Sequence, residues 1–552
     1  MADEKKSFVR ISALLWADVL VAYALFVMQN YLTDVWGLSL IHAALILNIW
    51  NGVYRILPLF FLYLVDKYLG YLNLLVFTSL AYAAGITMVA VSTPPLANAS
   101  GTCKRYEPEC VGRTQKGILI AGLALIAVGV AGNLVSLLPY LNLKKSSGQG
   151  VNIYQIIGLF GVVVVSIAGA IALPYIRPPT LKFGIPAICT VVGTFLFLTG
   201  FSKYTNDPPS HDSPLFNVFR VFVAASLKIF RSYPVSNKDY HGHVIGKTEF
   251  TTTRCLGGLH KAAIILPGED PPTGKSWTLC TVEQVEEAKI AVRMVPMWMT
   301  FIVCGVVAAI GDTYFVEQAS KLNRNIGRLK LPIQVLLLAR RSTKDWLGGK
   351  VTKLLEEFRT DLAPSFGIAA GMLCSILCCI SAALVERKRL NVMRSDGLLD
   401  QPDEQIKMSI YWLVFQFVLL GGLEAFLENS VSVYYRDQSP GSVANYLVNF
   451  IRGVTGLGYM CSALSVYVVG KISEKGGRKN WFQHTLNRSR LDRYYWVLAG
   501  LSLVNMVVFV FVASFYRYKK PEECGRRTPD AGGGYTDGYN EGDQNRSCCC
   551  FC

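Results

Sequence analysis

An all-α membrane protein with twelve transmembrane helices is the fold class this sequence predicts, and three observations predict it. Of 552 residues, 52% are hydrophobic and 17% charged, with a positive mean hydropathy, a composition outside that of soluble domains. A bilayer core about 30 Å thick needs roughly 20 apolar residues per helix, and twelve candidate segments separated by polar gaps meet or approach that length. A polar stretch over 205 to 290 then divides the segments six and six.

The segments run from 11 to 32, 40 to 64, 72 to 92, 117 to 140, 151 to 174, 183 to 203, 291 to 312, 329 to 347, 365 to 385, 409 to 430, 443 to 470 and 492 to 516. The first is long and no small-residue cleavage site follows it, so it is expected to stay as a helix and not to leave as a signal peptide. Eleven are plainly apolar. The eighth offers only Leu331 to Ala339 before Arg340, Arg341, Lys344 and Asp345, which predicts a short, tilted or partly amphipathic helix. The organisation expected is an N-terminal six-helix bundle (1–204), a cytoplasmic central loop with an amphipathic helix (205–290), a C-terminal six-helix bundle (291–518) and a tail (519–552).

The net charge of +16 would suggest nucleic acid in a soluble chain. Here it is read against the bilayer, whose cytoplasmic side favours basic loops, and no nucleic-acid partner is expected. Lys5, Lys6 and Arg10, then Lys144 and Lys145, then the region from Arg340 to Arg359 place both termini inside; the basic stretch from Lys471 to Arg490 runs against that count. The segments predict a multi-pass protein of the plasma or vacuolar membrane.

Most of the fifteen cysteines outside the tail fall within helices, where they read as small packing residues. Cys103 and Cys110 sit in the loop after the third segment and are a possible disulfide if that loop faces an oxidising side. The same loop holds Asn98-Ala99-Ser100, a glycosylation acceptor pattern. The tail is rich in Gly, Asp, Asn and Arg and reads as disordered. Its thiols Cys548, Cys549, Cys550 and Cys552 are candidates for palmitate, while the last four residues do not form a typical prenylation box. Six histidines show no metal spacing, and no phosphate-cradling glycine loop is present, which speaks against an enzyme or an ATP-driven pump. No cofactor and no metal site are expected.

Several runs carry a resemblance. They are Leu181 to Cys189, Trp277 to Ile290 leading through Arg293 and Pro296, Ser375 to Glu386, Tyr411 to Gln416, Gly476 to Trp481, and Leu491 to Gly500. With these motifs the chain resembles the plant nitrate/peptide transporter family, relatives of the proton-dependent oligopeptide transporters in the major facilitator superfamily. That resemblance implies two six-helix halves around a central cavity, with a small-molecule substrate near the midplane. Within the Trp277 run, Thr281 and Gln284 have the spacing of a capping box and should start a helix. Asp66 and Gly70 keep part of the family's loop between the second and third helices; Asp66 reads as a latch on helix ends and not as a substrate contact.

The departures matter as much. Proton-coupled members carry Glu-x-x-Glu-Arg in the first helix and a lysine in the fourth. Here Ala17 to Ala24 contains Asp18 and no arginine, and the lysine position falls near Asn133 or Leu134. Charge in lipid is costly, so the ionisable residues left inside segments should line the cavity or pair: Asp18, Arg55, Asp312, Glu424, Glu428 and Arg452. Glu424 and Glu428 share one helix face, and the resemblance gives Glu424 the acidic position that holds a substrate amino group. Arg55, eleven residues before Asp66 and about 16 Å deep at the helical rise, is expected to pair with Asp18 or Glu424 or to meet an anionic substrate; the alternative is that it points into the headgroups through a shifted helix. Asp312 is expected at an outer gate, a proton site or a structural cap. Tyr23 and Trp50 are cavity aromatics or simple packing residues. The function implied is secondary transport of nitrate, a short peptide or another organic anion, coupled to protons through an atypical relay. A proton-independent facilitator and a non-transporting sensor or partner subunit stand as alternatives.

Overall fold

A computed structural model describes residues 2–92, 113–137, 141, 153–176, 179–204, 214–231, 256–265, 277–357, 363–399, 401, 404–438 and 441–515. Asn98, Cys103, Cys110, Cys548, Cys549, Cys550 and Cys552 lie outside the described residues. The chain divides into a larger unit (1–213, 295–436 and 441–516) and a smaller one (214–294, 437–440 and 517–552).

The larger unit is a bundle of long helices. Its first half holds α1 (Ala2–Phe26), α2 (Leu40–Leu64), α3 (Gly70–Val91), α4 (Arg113–Gly132), α5 (Ile153–Ile171) and α6 (Pro179–Leu198). After the connector helix α7 (Pro214–Leu227) come α8 (Val282–Asp312), α9 (Tyr314–Lys321), α10 (Gln334–Glu357), α11 (Ala363–Ser395), α12 (Tyr411–Gln438), α13 (Gly441–Glu474) and α14 (Leu491–Phe515). Ten apolar stretches among the described residues are long enough to cross a bilayer, and one of them, Leu40–Val91, contains both α2 and α3. Bare apolar side chains such as Phe160 on α5 and Val507 on α14 are what a lipid-facing surface requires. Strand structure is slight: β1 (Leu322–Asn323) pairs in parallel with β4 (Ile406–Ser409), and β2 (Asn325–Ile326) pairs antiparallel with β3 (Leu329–Lys330).

One predicted element is corrected. The eighth segment begins later and runs further than its apolar run allows: residues 329–330 belong to β3, and α10 continues to Glu357. It is absent from the apolar stretches because charged residues recur along its length; two of its cations, Arg340 and Lys344, meet acids of neighbouring helices. Arg340 and Arg341 therefore lie inside the bundle and drop out of the basic-loop count.

Two breaks and two seams position the polar groups. α1 ends at Phe26, and after Val27 the chain continues through Met28–Asn30 into a wide turn at Tyr31–Val35. α8 ends at Asp312, and Thr313 leaves helical geometry before α9. The first seam joins α2 to α13, where a Cβ on Gly52 would lie 2.8 Å from the Gly456 carbonyl oxygen. The second joins α8 to α13, where a Cβ on Gly305 would lie 2.2 Å from the Thr455 carbonyl oxygen and one on Gly458 2.2 Å from that of Ile302. Only glycine permits such backbone approach. Gly70 has φ +69 at the turn between α2 and α3, so the family glycine there is a conformational requirement.

The smaller unit packs Val221, Ala224 and Ala225 of α7 against Leu259, Ala262 and Ala263 and against Val285 and Ala288 of α8. The capping box forms: the Gln284 backbone N–H donates to Thr281 Oγ1 at 3.3 Å, and the Thr281 N–H donates to Gln284 Oε1 at 3.2 Å. Gln284 Oε1 also accepts from Arg220 Nη2 at 2.5 Å, tying α7 to the start of α8.

Candidate functional site

The break after α8 leaves Asp312 beside α10 and α13. Arg340 Nη1 donates to Asp312 Oδ1 at 2.7 Å, and Arg340 Nη2 donates to Glu424 Oε1 on α12. One guanidinium thus holds two carboxylates from two other helices, using the planar fork that suits arginine to such a place. The Tyr459 hydroxyl on α13 donates to Asp312 Oδ2 at 2.7 Å and accepts from Arg55 Nη2 at 3.0 Å. Arg55 lies over the rings of Tyr459 and Tyr54, at 4.0 and 4.6 Å from their centroids, contacts that favour a cation. A continuous chain results: Arg55, Tyr459, Asp312, Arg340, Glu424. The α2–α13 seam brings its first two members together, since a Cβ on Gly456 would meet the Arg55 Cβ at 2.8 Å.

Arg340 is only 4% exposed, while the side chains of Asp312 and Glu424 keep 20% and 24%. The acids therefore keep accessible surface and the arginine behind them keeps almost none. One turn along, Lys344 Nζ donates to Glu428 Oε1 at 3.0 Å. Cations four apart on α10 meet acids four apart on α12, so the two helices are in register through charge.

Around α1 the chemistry differs. Asn133 Nδ2 donates to Asp18 Oδ1 at 3.4 Å, and the Tyr82 hydroxyl also bonds to Asp18. Arg341 lies 5.1 Å from the centroid of the Tyr23 ring and within electrostatic reach of Asp18. Trp50 donates from Nε1 to the Leu123 carbonyl at 2.7 Å and packs on Tyr54, which ties α2 to α4. Asp66 accepts from the Tyr446 hydroxyl on α13, joining helices from the two halves of the sequence.

The expected partners of Arg55 need correction. It bonds neither Asp18 nor Glu424; its Nη1 donates to the Asn51 carbonyl (3.1 Å) and Oδ1 (3.0 Å), and its path to the acids runs through Tyr459. Sequence reasoning missed Arg340, Arg341 and Tyr459. The available signal was the four-residue spacing of Arg340 and Lys344, which repeats that of Glu424 and Glu428.

A second polar layer lies where α1 and α9 end. Thr33 donates to Glu317 Oε2 at 2.9 Å, and Lys321 pairs with Asp34 at 3.4 Å. Arg389 on α11 meets Glu386 through two bonds of 2.7 Å and adds Asn487 and the Leu486 carbonyl. Gln318 Nε2 completes this layer by donating to Glu386 Oε2 at 2.7 Å.

Helices of this length, apolar outside and charged within, with polar groups of both sequence halves meeting inside the bundle, define a multi-pass membrane protein of the transporter class. Comparison with known proteins agrees. Residues 72–482 match the PTR2 model, described as the POT family. Over 525 residues the chain is 32% identical to Protein NRT1/ PTR FAMILY 5.5 of Arabidopsis thaliana, covering 92% of this chain and 96% of that one. The fold resembles the crystal structure of an auto-inhibited POT family peptide transporter, with a TM-score of 0.63 at 14% identity, covering 94% of this chain and 98% of the other. It also resembles the nucleoside transporter NupG, with a TM-score of 0.56 at 11% identity, covering 92% and 99%. The chain belongs to the POT family, within its NRT1/PTR branch, and is a secondary transporter of the major facilitator fold.

Proposed function

We propose that the protein carries a small anionic solute, nitrate or an organic anion, through the space between Arg55, Arg341 and Arg452. The observation that carries this reading is a mismatch of partners. Asp312, Glu424 and Glu428 are held by Arg340 and Lys344. Among the described residues, Arg55, Arg341 and Arg452 have no carboxylate within ion-pair distance; Arg452 bonds only Asn449, at 3.3 Å. Cations that no carboxylate pairs directly, in a low-dielectric setting, favour an anion. Glu424, already engaged by Arg340, is a poor receiver for a substrate amino group, which speaks against short peptides.

Coupling falls to Asp18. Its bonded partners Asn133 and Tyr82 are neutral, so protonating it breaks no ion pair, whereas protonating Asp312 or Glu424 does. Arg341, within reach of both Asp18 and the cavity, would sense that proton. A proton-independent facilitator is the second reading, favoured by the absence of a lysine near Asn133 or Leu134, where coupled relatives carry one.

Uptake of labelled nitrate, organic anions and a dipeptide panel into proteoliposomes, at acidic and neutral external pH with and without a protonophore, tests both parts. Anion uptake that rises in acid, collapses with the protonophore and becomes insensitive to pH in Asp18→Asn is the expected result. Dipeptide uptake that survives Arg341→Gln would sink the anion reading, and uptake indifferent to pH in the unaltered protein would leave the facilitator.

A further inference from the structure

At the end of the larger unit where α1 and α9 stop, three elements gather cations around one exposed acid. The wide turn Tyr31–Val35 supplies Asp34, the first turn of α6 supplies Lys182, and the end of α9 with the residues after it supplies Lys321 and Arg324. The Tyr31 ring meets Phe183 edge-on at 4.8 Å, which sets Lys182 beside that turn. Arg324 stands between two strand pairs. Just before it, the Ile410 N–H donates to the Asn323 carbonyl at 2.9 Å; across the hairpin, the Leu331 N–H donates to the Arg324 carbonyl at 2.7 Å. The hairpin is tied in turn to the first half of the sequence, since the Tyr175 hydroxyl donates to the Lys330 carbonyl at 2.7 Å. The backbone that carries Arg324 is therefore fixed from several sides, as a binding group requires.

Charge does not balance at this place. Lys321 Nζ pairs with Asp34 Oδ1 at 3.4 Å and so engages the acid. Lys182 and Arg324 are half-buried, and the carboxylate within their electrostatic reach is that same Asp34. Arg324 in turn lies within reach of Lys182, so the two cations repel each other. Neither has a carboxylate within ion-pair distance among the described residues, and Arg324 Nε is buried there with no acceptor. Glu317, the other acid nearby, takes its hydrogen bond from Thr33. Two like charges partly withdrawn from water, one with an unanswered donor, are costly unless an anion joins them. A polar cavity adjoins the cluster, walled by Asp34 and Lys321 together with Thr33, His484 and Asn487, so a small solute has a way to reach it.

We propose that Lys182 and Arg324 bind a small inorganic anion, nitrate or chloride, at this end of the bundle, apart from the space between Arg55, Arg341 and Arg452. The guanidinium fork suits a planar oxyanion, and the lysine supplies a point charge to any small anion. Lys182 belongs to the first six helices and Arg324 to the second six, so the bound anion joins the two sequence halves and stabilises the arrangement in which they meet here.

The test follows thermal unfolding of the full chain in detergent as sodium nitrate or sodium chloride replaces sodium gluconate at constant ionic strength. The starting protein is Arg341→Gln, which disables the space proposed for the transported solute, so the outcome does not depend on that reading. A rise of several degrees that saturates with the small anion is expected, because a ligand of the folded state raises its melting point by mass action. Adding Lys182→Gln or Arg324→Gln should raise the half-saturating concentration about tenfold, while Lys182→Arg should keep the response. Melting in gluconate should stay level or rise slightly in the two glutamine variants, since each removes a repulsion. Stabilisation by both anions marks a site for any small anion and stabilisation by nitrate alone a site for the oxyanion; either supports the proposal. No anion-dependent rise, a rise with the same midpoint in every variant, or a clear fall of melting in gluconate in both glutamine variants would each overturn it.

Discussion

Two arginine–carboxylate arrangements in this molecule use the same chemistry to opposite ends. In the Glu386–Arg389 pair, side-chain exposure is 0% and 1%, both bonds are 2.7 Å, and Gln318, Asn487 and the Leu486 carbonyl take up remaining bonding positions. In the Asp312–Arg340–Glu424 arrangement the cation is equally buried, yet it is divided between two acids that each keep a fifth or more of their surface. The sealed pair has nothing left to offer a ligand and can only hold α11 to its neighbours. The shared arginine can release one acid while keeping the other, which is the property a site needs if its occupancy or protonation is to change. Satisfaction and access, not charge alone, separate a staple from a site.

That difference can be broken from either side. Arg389→Leu should be the most damaging change, because it leaves Glu386 charged and buried at a cost of about 3–5 kcal/mol; thermal unfolding in detergent should show a large drop. Adding Glu386→Gln should recover much of that loss, and a double variant no better than the single one would mean the pair is more than a staple. Arg340→Gln should cost less stability, since water can reach Asp312 and Glu424, but should reduce uptake to background at unchanged membrane abundance. If it instead unfolds as readily as Arg389→Leu, the contrast fails. Tyr459→Phe removes one bridging hydroxyl, worth about 1 kcal/mol, and should weaken uptake while leaving melting nearly unchanged. Lys344→Gln is the smallest: the pair with Glu428 is substantially exposed, and exposed pairs contribute about 0–1 kcal/mol. A large effect there would show that the register between α10 and α12 depends on that outer rung.

The sequence revealed the fold where lipid dictates it and half of the site where charge violates that dictate. Eleven helices stand out because a bilayer demands length and apolarity together. Glu424, Asp312 and Arg55 stand out because each interrupts an apolar run. Arg340 escaped notice for the converse reason: α10 carries Arg340, Arg341, Lys344 and Asp345 in close succession, so it reads as the end of a helix when it is the middle of one. The partner of Arg55 was not legible, since it depends on how closely α2 and α13 approach at Gly52 and Gly456, a fact of three-dimensional packing with no local trace. The partner of Asp66 was not legible, because Tyr446 lies 380 residues away.

The chain of groups from Arg55 to Glu424 also has an electrical meaning. With two cations and two carboxylates it is neutral when empty. A monovalent anion entering with one proton leaves the carrier's charge unchanged, so a complete cycle moves no net charge and uptake should draw no current. Entry with two protons would move one positive charge, on which a field of 100 mV acts with about 2.3 kcal/mol. A voltage clamp during substrate application would therefore count the protons, because the carrier's own charges return unchanged at the end of each cycle.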